Sequence, residues 1–387
     1  MYHIQTLNKI SAAGLKRFDP EHYQVSDSQT NPEGIMVRSA KLLDMDFPSE
    51  LLAIARAGVG VNNIPIERCS EAGIAVFSTP GANANAVKEL ILAGMLISSR
   101  KVIDAIEWAK TLKGQGAEVT KLVEKGKAQF AGPEIKGKKL GVIGLGAIGG
   151  LVANAAHSLG MEVYGFDPFL SVDAAWSLSR GVRHAASREQ IFAECDYITV
   201  HTPLTPETKD MFCAASFATM KDGVRILNFA RAELVNAADM KEALASGKVA
   251  AYVVDFPTDE VLGVPGVIAI PHLGASTPES EDNCAVMAVD ELKAYLEDGV
   301  IRNSVNFPSV DVPRSTDHRL CVLHRNIPNM LTGISGAVSA EGINIETMTN
   351  RSKKDYAYTI LDVVGDPSDE SLDKIRAIDG VIRLRKI

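Results

Sequence analysis

The sequence predicts an α/β fold in three parts: a central doubly wound parallel sheet, a smaller discontinuous α/β unit split around it, and a ferredoxin-like βαββαβ unit. Three observations carry this. Between residues 139 and 270, short apolar runs alternate with helical stretches, the pattern of a parallel sheet covered on both faces. Residues 1–80 alternate in the same way, and a helical stretch at 278–297, closed by Gly299, returns the chain to that first unit. From Arg319 onward the order is strand, helix, strand, strand, helix, strand.

The central unit begins with an apolar run at 140–143, followed by Gly144-Leu145-Gly146-Ala147-Ile148-Gly149, a helical stretch at 151–158 and Gly160. A second apolar run, 163–166, ends on Asp167. Each part has a physical role: Gly144 permits a tight turn, Gly146 lets backbone approach a pyrophosphate, and Gly149 lets helix and strand pack closely. The helix N-terminus offers unpaired N–H groups to phosphates. Asp167 can accept hydrogen bonds from both ribose hydroxyls and would repel a 2′-phosphate, so the expected cofactor of this Rossmann unit is NAD rather than NADP. Further strands are expected at 197–200, 224–228, 250–255 and 267–270, the last stopped by Pro271.

In the first unit, strands are expected at 35–37, 52–55 and 74–77, with a helix from Pro65 to Gly73. Three polar or glycine-rich segments follow strands: Arg38-Ser39, residues 56–63 and residues 78–83. They stand at strand carboxyl ends, where open α/β sheets bind ligands. One long helix is expected over 84–109, an irregular polar segment over 110–135, and a linker over 302–317. The tail is read as strand 320–323, helix 329–341, strand 345–348, strand 357–364, helix 370–378 and strand 381–384.

Composition bounds the function. A chain of 387 residues with 46% apolar and 23% charged residues can fill several cores. The net charge of −8 disfavours nucleic acid and anionic membrane as partners, so an anionic substrate must be caught by local cations. Five scattered cysteines without a C-x-x-C pair point to reduced thiols, a cytoplasmic location and no bound metal. The N-terminus carries no signal-peptide pattern, and the longest apolar helix candidate, 87–98, is too short to span a bilayer.

Chemistry is expected from Arg231, Glu260 and His272, all near strand ends in the second half of the central unit. Oxidising an alcohol beside a carboxylate needs a proton acceptor, which histidine supplies. A carboxylate would orient the imidazole, and an arginine fork would bind the substrate carboxylate. Asp259 is the rival of Glu260, which its spacing from Arg231 and Asp255 favours.

These residues sit in motifs that span the chain: GVGVNNIP from Gly58, STPGANANAVKEL from Ser78, GVIGLGAIG from Gly141, HTPLTPET from His201, NFARAELV from Asn228, DFPTDE from Asp255, PHLGASTPE from Pro271 and NSVNFP from Asn303. The whole resembles the D-isomer-specific 2-hydroxyacid dehydrogenases, in the phosphoglycerate dehydrogenase branch with a C-terminal ACT domain. The resemblance implies a flavodoxin-like substrate domain at 1–92 and 277–306, an NAD-binding domain at 93–276 and an ACT-like regulatory domain at 318–387. It implies Arg231, Glu260 and His272 as the catalytic set. His201, Thr202, Pro203, Ala230 and Asp255 would line the cofactor beside Gly144, Gly146, Ala147, Ile148, Gly149 and Asp167. Arg38, Ser39, Gly58, Val59 and Asn83 would hold the substrate. His324, Asn326 and Asn344 match effector-contacting positions, so serine is a possible effector, and a homodimer or homotetramer is expected. Two departures stand out: Ala232 replaces a glycine beside Arg231, and Asn329 replaces a glycine in the tail, where Asn also tolerates the left-handed region.

The implied reaction is NAD-dependent oxidation of 3-phospho-D-glycerate to 3-phosphohydroxypyruvate, the first step of L-serine biosynthesis. Two alternatives stand beside it: another D-2-hydroxyacid dehydrogenase acting on glycerate, glyoxylate or lactate, and a non-catalytic NAD-sensing regulator. Arg38 and the tail favour the phosphorylated substrate, and retention of Arg231, Glu260 and His272 argues against the regulator.

Overall fold

The computed structural model describes residues 1–387, which form two compact units, 1–82 with 278–387 and 83–277. No helix is long and apolar enough to cross a membrane.

The first unit holds a five-stranded sheet, β1 (Tyr2–Leu7), β2 (Tyr23–Ser26), β3 (Gly34–Val37), β4 (Ala53–Arg56) and β5 (Ala75–Phe77). Its order is β2-β1-β3-β4-β5 with every pair parallel, the flavodoxin-like arrangement. β3 and β5 are buried throughout, which is why each reads as a continuous apolar run. The helix Pro278–Asp298 packs Cys284, Ala288, Leu292 and Tyr295 into the same core.

Residues 302–317 do not form a free linker. Ser304 bridges Phe77 in antiparallel fashion, and Ile301 bridges Val310. Asn306 accepts the Val76 N–H (2.9 Å) and donates to the Ile74 carbonyl (2.9 Å), so its side chain pairs with the exposed edge of β5. Phe307 and Val310 are buried beside it. Two prolines disguise a segment whose alternate residues are core.

The tail forms β13 (His318–Arg325), β14 (Asn344–Lys353), β15 (Tyr356–Val364) and β16 (Val381–Lys386), an antiparallel sheet of order β14-β15-β13-β16. Period-two alternation sends its two faces to different cores. Leu320, Val322, Leu361 and Val363 pack on the helices Met330–Ser339 and Asp369–Arg376. Cys321, Leu323, Tyr358 and Ile360 join the core of the first sheet with Phe77, Tyr295, Leu296 and Phe307. The tail therefore shares a core with the rest of the first unit, because the outward face of its sheet is apolar too.

Polar contacts fix this union at the end of the helix Pro278–Asp298, whose last carbonyls have no helical partner. Arg385 donates to the Tyr295 and Leu296 carbonyls (2.8 and 2.7 Å), Arg319 to that of Asp298 (2.9 Å), and the Tyr358 hydroxyl to that of Gly299 (2.7 Å). Cations at this end also complement the helix dipole. Arg319 further forms a fully buried bidentate pair with Asp362 (2.6 and 2.8 Å).

The second unit holds β6 (Lys139–Ile143), β7 (Glu162–Phe166), β8 (Arg183–His184), β9 (Tyr197–Val200), β10 (Val224–Asn228), β11 (Val249–Val254) and β12 (Val267–Ala269). All pair in parallel in the order β12-β11-β10-β9-β6-β7-β8, a doubly wound sheet whose strand order reverses between β6 and β9. The unit begins at Asn83 and ends at Thr277, against expected limits of 93 and 276. The helix Ala84–Arg100 belongs to it because Val87, Ile91 and Met95 pack under β6, β10 and β11.

The helix expected over 84–109 is broken at Lys101, which takes the left-handed conformation (φ 46°) between Ala84–Arg100 and Val102–Thr111. Ser98 and Ser99 both turn their hydroxyls back onto the Met95 carbonyl (2.9 and 2.7 Å), which weakens the last turn. The segment read as irregular contains the helix Val119–Gly126.

The Arg319–Asp362 pair yields a stability prediction. Burial alone would raise the Asp362 carboxyl, but Arg319 and the Ser315 N–H and hydroxyl hold it at about 2. A folded value below the ordinary 3.8 contributes stability above that pH and loses it as pH falls toward 2. Asp362→Ala alone strands a buried guanidinium and should cost about 3–5 kcal/mol, whereas Arg319→Met with Asp362→Leu should cost much less. Urea unfolding followed by circular dichroism measures both, and equal losses would contradict this role.

Candidate functional site

The turn after β6 stands at the reversal of strand order. Gly144 has φ 90°, and a Cβ there would lie 2.7 Å from the His201 carbonyl. At Gly149 a Cβ would come within 1.9 Å of the Gly144 carbonyl, so the helix Ala147–Ser158 leaves the turn at backbone contact. Gly146 faces open space and its helix has no side-chain cap, leaving the first N–H groups of Ala147 and Ile148 free for a ligand. Asp167 closes the turn: its carboxylate accepts the Leu145 N–H and the Phe169 N–H, both at 2.9 Å. His201 packs beneath, bonded through Nε2 to the Thr199 hydroxyl (3.0 Å), and burial lowers its pKa to about 3, so it is neutral. The Thr202 hydroxyl is buried with no partner in the protein, while Pro203 beside it is exposed.

A cleft of about 510 Å³ opens at the ends of β10 and β11, lined by Arg231, Ala232, Asp255, Phe256, Pro271 and His272 among others. Two buried polar side chains shape it. Asn228 donates to the Arg231 carbonyl (2.7 Å) and accepts the Ala230 N–H (3.1 Å), holding the turn that carries Arg231. Asp255, 2% exposed, accepts the Leu273 and Gly274 N–H groups (2.8 and 3.1 Å), and its carbonyl accepts the His272 N–H (3.1 Å). Burial raises the Asp255 carboxyl pKa, against these bonds and the nearby His272. His272 itself sits at φ 50° with its ring exposed. Ala232 opens a short 3-10 turn without positive φ, so the extra methyl is accommodated.

The structure brings Arg231 and His272 to this cleft but not Glu260, which is exposed, absent from the lining and not hydrogen-bonded to His272. Asp259 is exposed likewise.

In the first unit, Arg38 follows β3 and Arg56 is the last residue of the neighbouring β4. The Arg56 Nε donates to the Arg38 carbonyl (3.0 Å), while its remaining guanidinium N–H groups have no protein acceptor. Burial and the neighbouring Arg38 charge lower the Arg56 pKa, with Cys284 opposing. Arg38 pairs with Glu281 (2.7 Å). Asn8, in the left-handed region at φ 73°, accepts the Ser39 and Ala40 N–H groups (3.0 and 2.6 Å) and shapes this turn. Gly58 bends the chain after Arg56, and Val59 beside it is exposed. Asn83 belongs to the other unit, where it precedes the helix Ala84–Arg100 without capping it. Arg56 and Asn8 were not singled out from sequence. The position of Arg56 at a strand end beside a glycine-rich turn was the available signal, whereas Asn8 carried none.

Comparison with known proteins decides the family. Residues 92–274 match the family described as D-isomer specific 2-hydroxyacid dehydrogenase, NAD binding domain. They are the NAD-binding domain of a D-isomer-specific 2-hydroxyacid dehydrogenase. The chain is 28% identical to D-3-phosphoglycerate dehydrogenase of Haemophilus influenzae, over 99% of this chain and 94% of that one. It is 35% identical to the Archaeoglobus fulgidus protein of the same name, over 72% of this chain and 52% of that one. A crystal structure of NAD+-bound 3-phosphoglycerate dehydrogenase from Entamoeba histolytica aligns with TM-score 0.59 and 25% identity, over 79% of this chain and 98% of the other.

This dehydrogenase is an NAD-dependent oxidoreductase, and its glycine turn fits that cofactor. The open face at Gly146 admits a pyrophosphate, Asp167 keeps lone pairs for ribose hydroxyls, and the unpartnered Thr202 hydroxyl is available to a polar ligand.

The residues at effector positions do not gather within one chain. His324 is buried, its Nδ1–H donating to the Arg325 carbonyl (2.7 Å) and its Nε2 bonded to the Thr359 hydroxyl (2.9 Å). Burial lowers its pKa, against the Arg325 carbonyl and the Asn350 side chain. Asn326 is exposed and donates to the Lys354 carbonyl (3.1 Å). Asn344 lies at the other end of the sheet: it pairs with Val364 on β15, whereas His324 pairs with Ala357. At the usual rise per residue, that separation is roughly 20 Å. β13 and β14 both run antiparallel to β15, so the end of one and the start of the other are far apart. Asn329 adopts φ 70°, the conformation expected where it replaces glycine.

The glycine turn gives a paired test. Gly146→Ala meets no protein atom and should fold with unchanged thermal stability while losing NAD affinity at least tenfold. Gly149→Ala collides with backbone and should lower the melting temperature itself. Calorimetric titration and thermal melts separate the two, and an unimpaired NAD affinity in Gly146→Ala would remove the pyrophosphate from this turn. Asp167→Ala should in turn narrow the preference for NAD over NADP, measured as the ratio of the two kcat/KM values.

Proposed function

We propose that this dehydrogenase oxidises 3-phospho-D-glycerate to 3-phosphohydroxypyruvate, the first step of L-serine biosynthesis, in the cytoplasm. The observation that carries the reading is the pair of guanidinium groups, Arg38 and Arg56, at adjacent strand ends of the first sheet, one with unsatisfied donors. A phosphate dianion is the ligand such a pair suits, since arginine forks match its oxygens. A small unphosphorylated acid would leave those donors unused.

The roles divide by chemistry. Arg38, Arg56 and the Ser39 turn hold the phosphate, and Arg231 holds the carboxylate and the developing C2 carbonyl. The His272 imidazole takes the hydroxyl proton as the C2–H bond breaks. NAD, when bound, accepts the hydride from C2. Glu260 is proposed to reach His272 only with substrate present, since catalytic hydrogen bonds are commonly longer in unliganded enzymes. The tail is proposed as an ACT-like unit, and its separated effector positions make any serine site one shared between chains of a homodimer or homotetramer.

One observation favours a second reading. Glu281 already neutralises Arg38, which suits a less charged acid such as glycerate or lactate. A substrate panel decides: NAD reduction should be far faster with 3-phosphoglycerate than with glycerate or lactate. Arg56→Met should raise the KM for 3-phosphoglycerate by about 10- to 100-fold, the loss of one or two charge-assisted bonds, with the KM for NAD unchanged. His272→Asn should lower kcat by about two to four orders of magnitude. Equal rates across the panel would overturn the phosphorylated substrate, and normal turnover in His272→Asn would overturn the proton acceptor.

A further inference from the structure

The side chains of Arg231 and His272 have few polar restraints. The Arg231 guanidinium makes one hydrogen bond, to the neighbouring Ala230 carbonyl (2.7 Å), and the His272 ring makes none. What they share is Phe256. The imidazole lies against its ring with centroids 4.3 Å apart and planes at 44°, and the Arg231 guanidinium carbon is 5.5 Å from the same centroid. Phe256 is itself anchored. It follows Asp255, whose carboxylate is bonded to the loop carrying His272, and it packs on the core that holds Phe212 and Val254.

We propose that Phe256 is a positioning residue for the oxidation. Its ring is the common surface that sets the imidazole and the guanidinium at a fixed separation, and so fixes the substrate carboxylate relative to the proton acceptor. Attraction of guanidinium, and of the imidazolium formed on proton uptake, to an aromatic face supplies the orientation. An aliphatic side chain of similar bulk fills the space without it. The inference rests on Arg231 and His272 being the catalytic pair.

The test uses the full-length protein and two variants, Phe256→Leu and Phe256→Tyr, with NAD as cofactor. In Phe256→Leu, kcat should fall and the KM for the hydroxyacid should rise, lowering kcat/KM about tenfold, the scale of one or two cation–aromatic contacts. NAD affinity and melting temperature should stay at the wild-type values. Phe256→Tyr keeps the aromatic face and should restore kcat/KM to within about threefold. In the Phe256→Leu background, His272→Asn should cost less than in wild type, since residues acting through one contact are not additive. Phe256→Met serves the same comparison where the leucine variant does not fold. Wild-type kinetics in Phe256→Leu, or equal losses in the Leu and Tyr variants, would overturn the proposal. A wild-type rate in His272→Asn overturns the underlying assignment instead, and the two failures are thereby separate.

Discussion

The site of this dehydrogenase depends on the buried carboxylate of Asp255. It stands just past β11, and its N–H donates to the Asn228 carbonyl at the end of β10 (3.1 Å). Its two oxygens hold the Leu273 and Gly274 N–H groups, and so force the chain after Pro271 into the left-handed turn at His272. A carboxyl this buried is tolerated because backbone donors satisfy it. Asn228 does the same one strand away for the turn at Arg231. Two short polar side chains at the ends of adjacent strands thus convert the regular geometry of a parallel sheet into the placement of an imidazole and a guanidinium.

A comparable economy governs the first unit. The helix Pro278–Asp298 ends beneath the C-terminal sheet, and the carbonyls of Tyr295, Leu296, Asp298 and the following Gly299 accept from Arg385, Arg319 and Tyr358. These donors come from β13, β15 and β16 and add to the Tyr2 hydroxyl on β1, which also donates to the Leu296 carbonyl (2.7 Å), so both ends of the unit converge on this helix end. The apolar face of β13 and β15 then closes the core that β5 leaves open. Polar satisfaction and apolar burial point to the same arrangement, as expected of a sequence that specifies one structure.

Much of the central sheet could be read from sequence because its strands are buried on both faces and appear as unbroken apolar runs. β1 escaped because it alternates, Tyr-His-Ile-Gln-Thr-Leu, with Ile4 alone fully buried. The break at Lys101 escaped because residues 84–109 keep a helical pattern, and two serines and a left-handed lysine decide the matter locally. In the site, the glycine turn, Asp167, Arg231 and His272 could be named because spacing to a strand end is a one-dimensional property. The exposed position of Glu260 and the distance between His324 and Asn344 depend on loop path and strand direction, which no local pattern encodes. Arg319 and Asp362 were unreadable for a related reason: charged residues are presumed solvated until a partner from forty residues away is seen beside them.

Because the first unit is assembled from both ends of the chain, the order in which it is completed during synthesis is constrained. Residues 83–277 contain every strand of the second sheet, so that sheet is complete in sequence once Thr277 has been added. Residues 1–82 complete their core only with Tyr295, Phe307, Leu323 and Tyr358, and the last arginine of the union is Arg385. At about 5–20 residues per second, roughly 15–60 s separate the emergence of β5 from that of β16. Through that interval the residues that cover Phe77 in the finished core are incomplete. During synthesis, therefore, the first sheet stays without its C-terminal cover until the last strand, β16, has emerged.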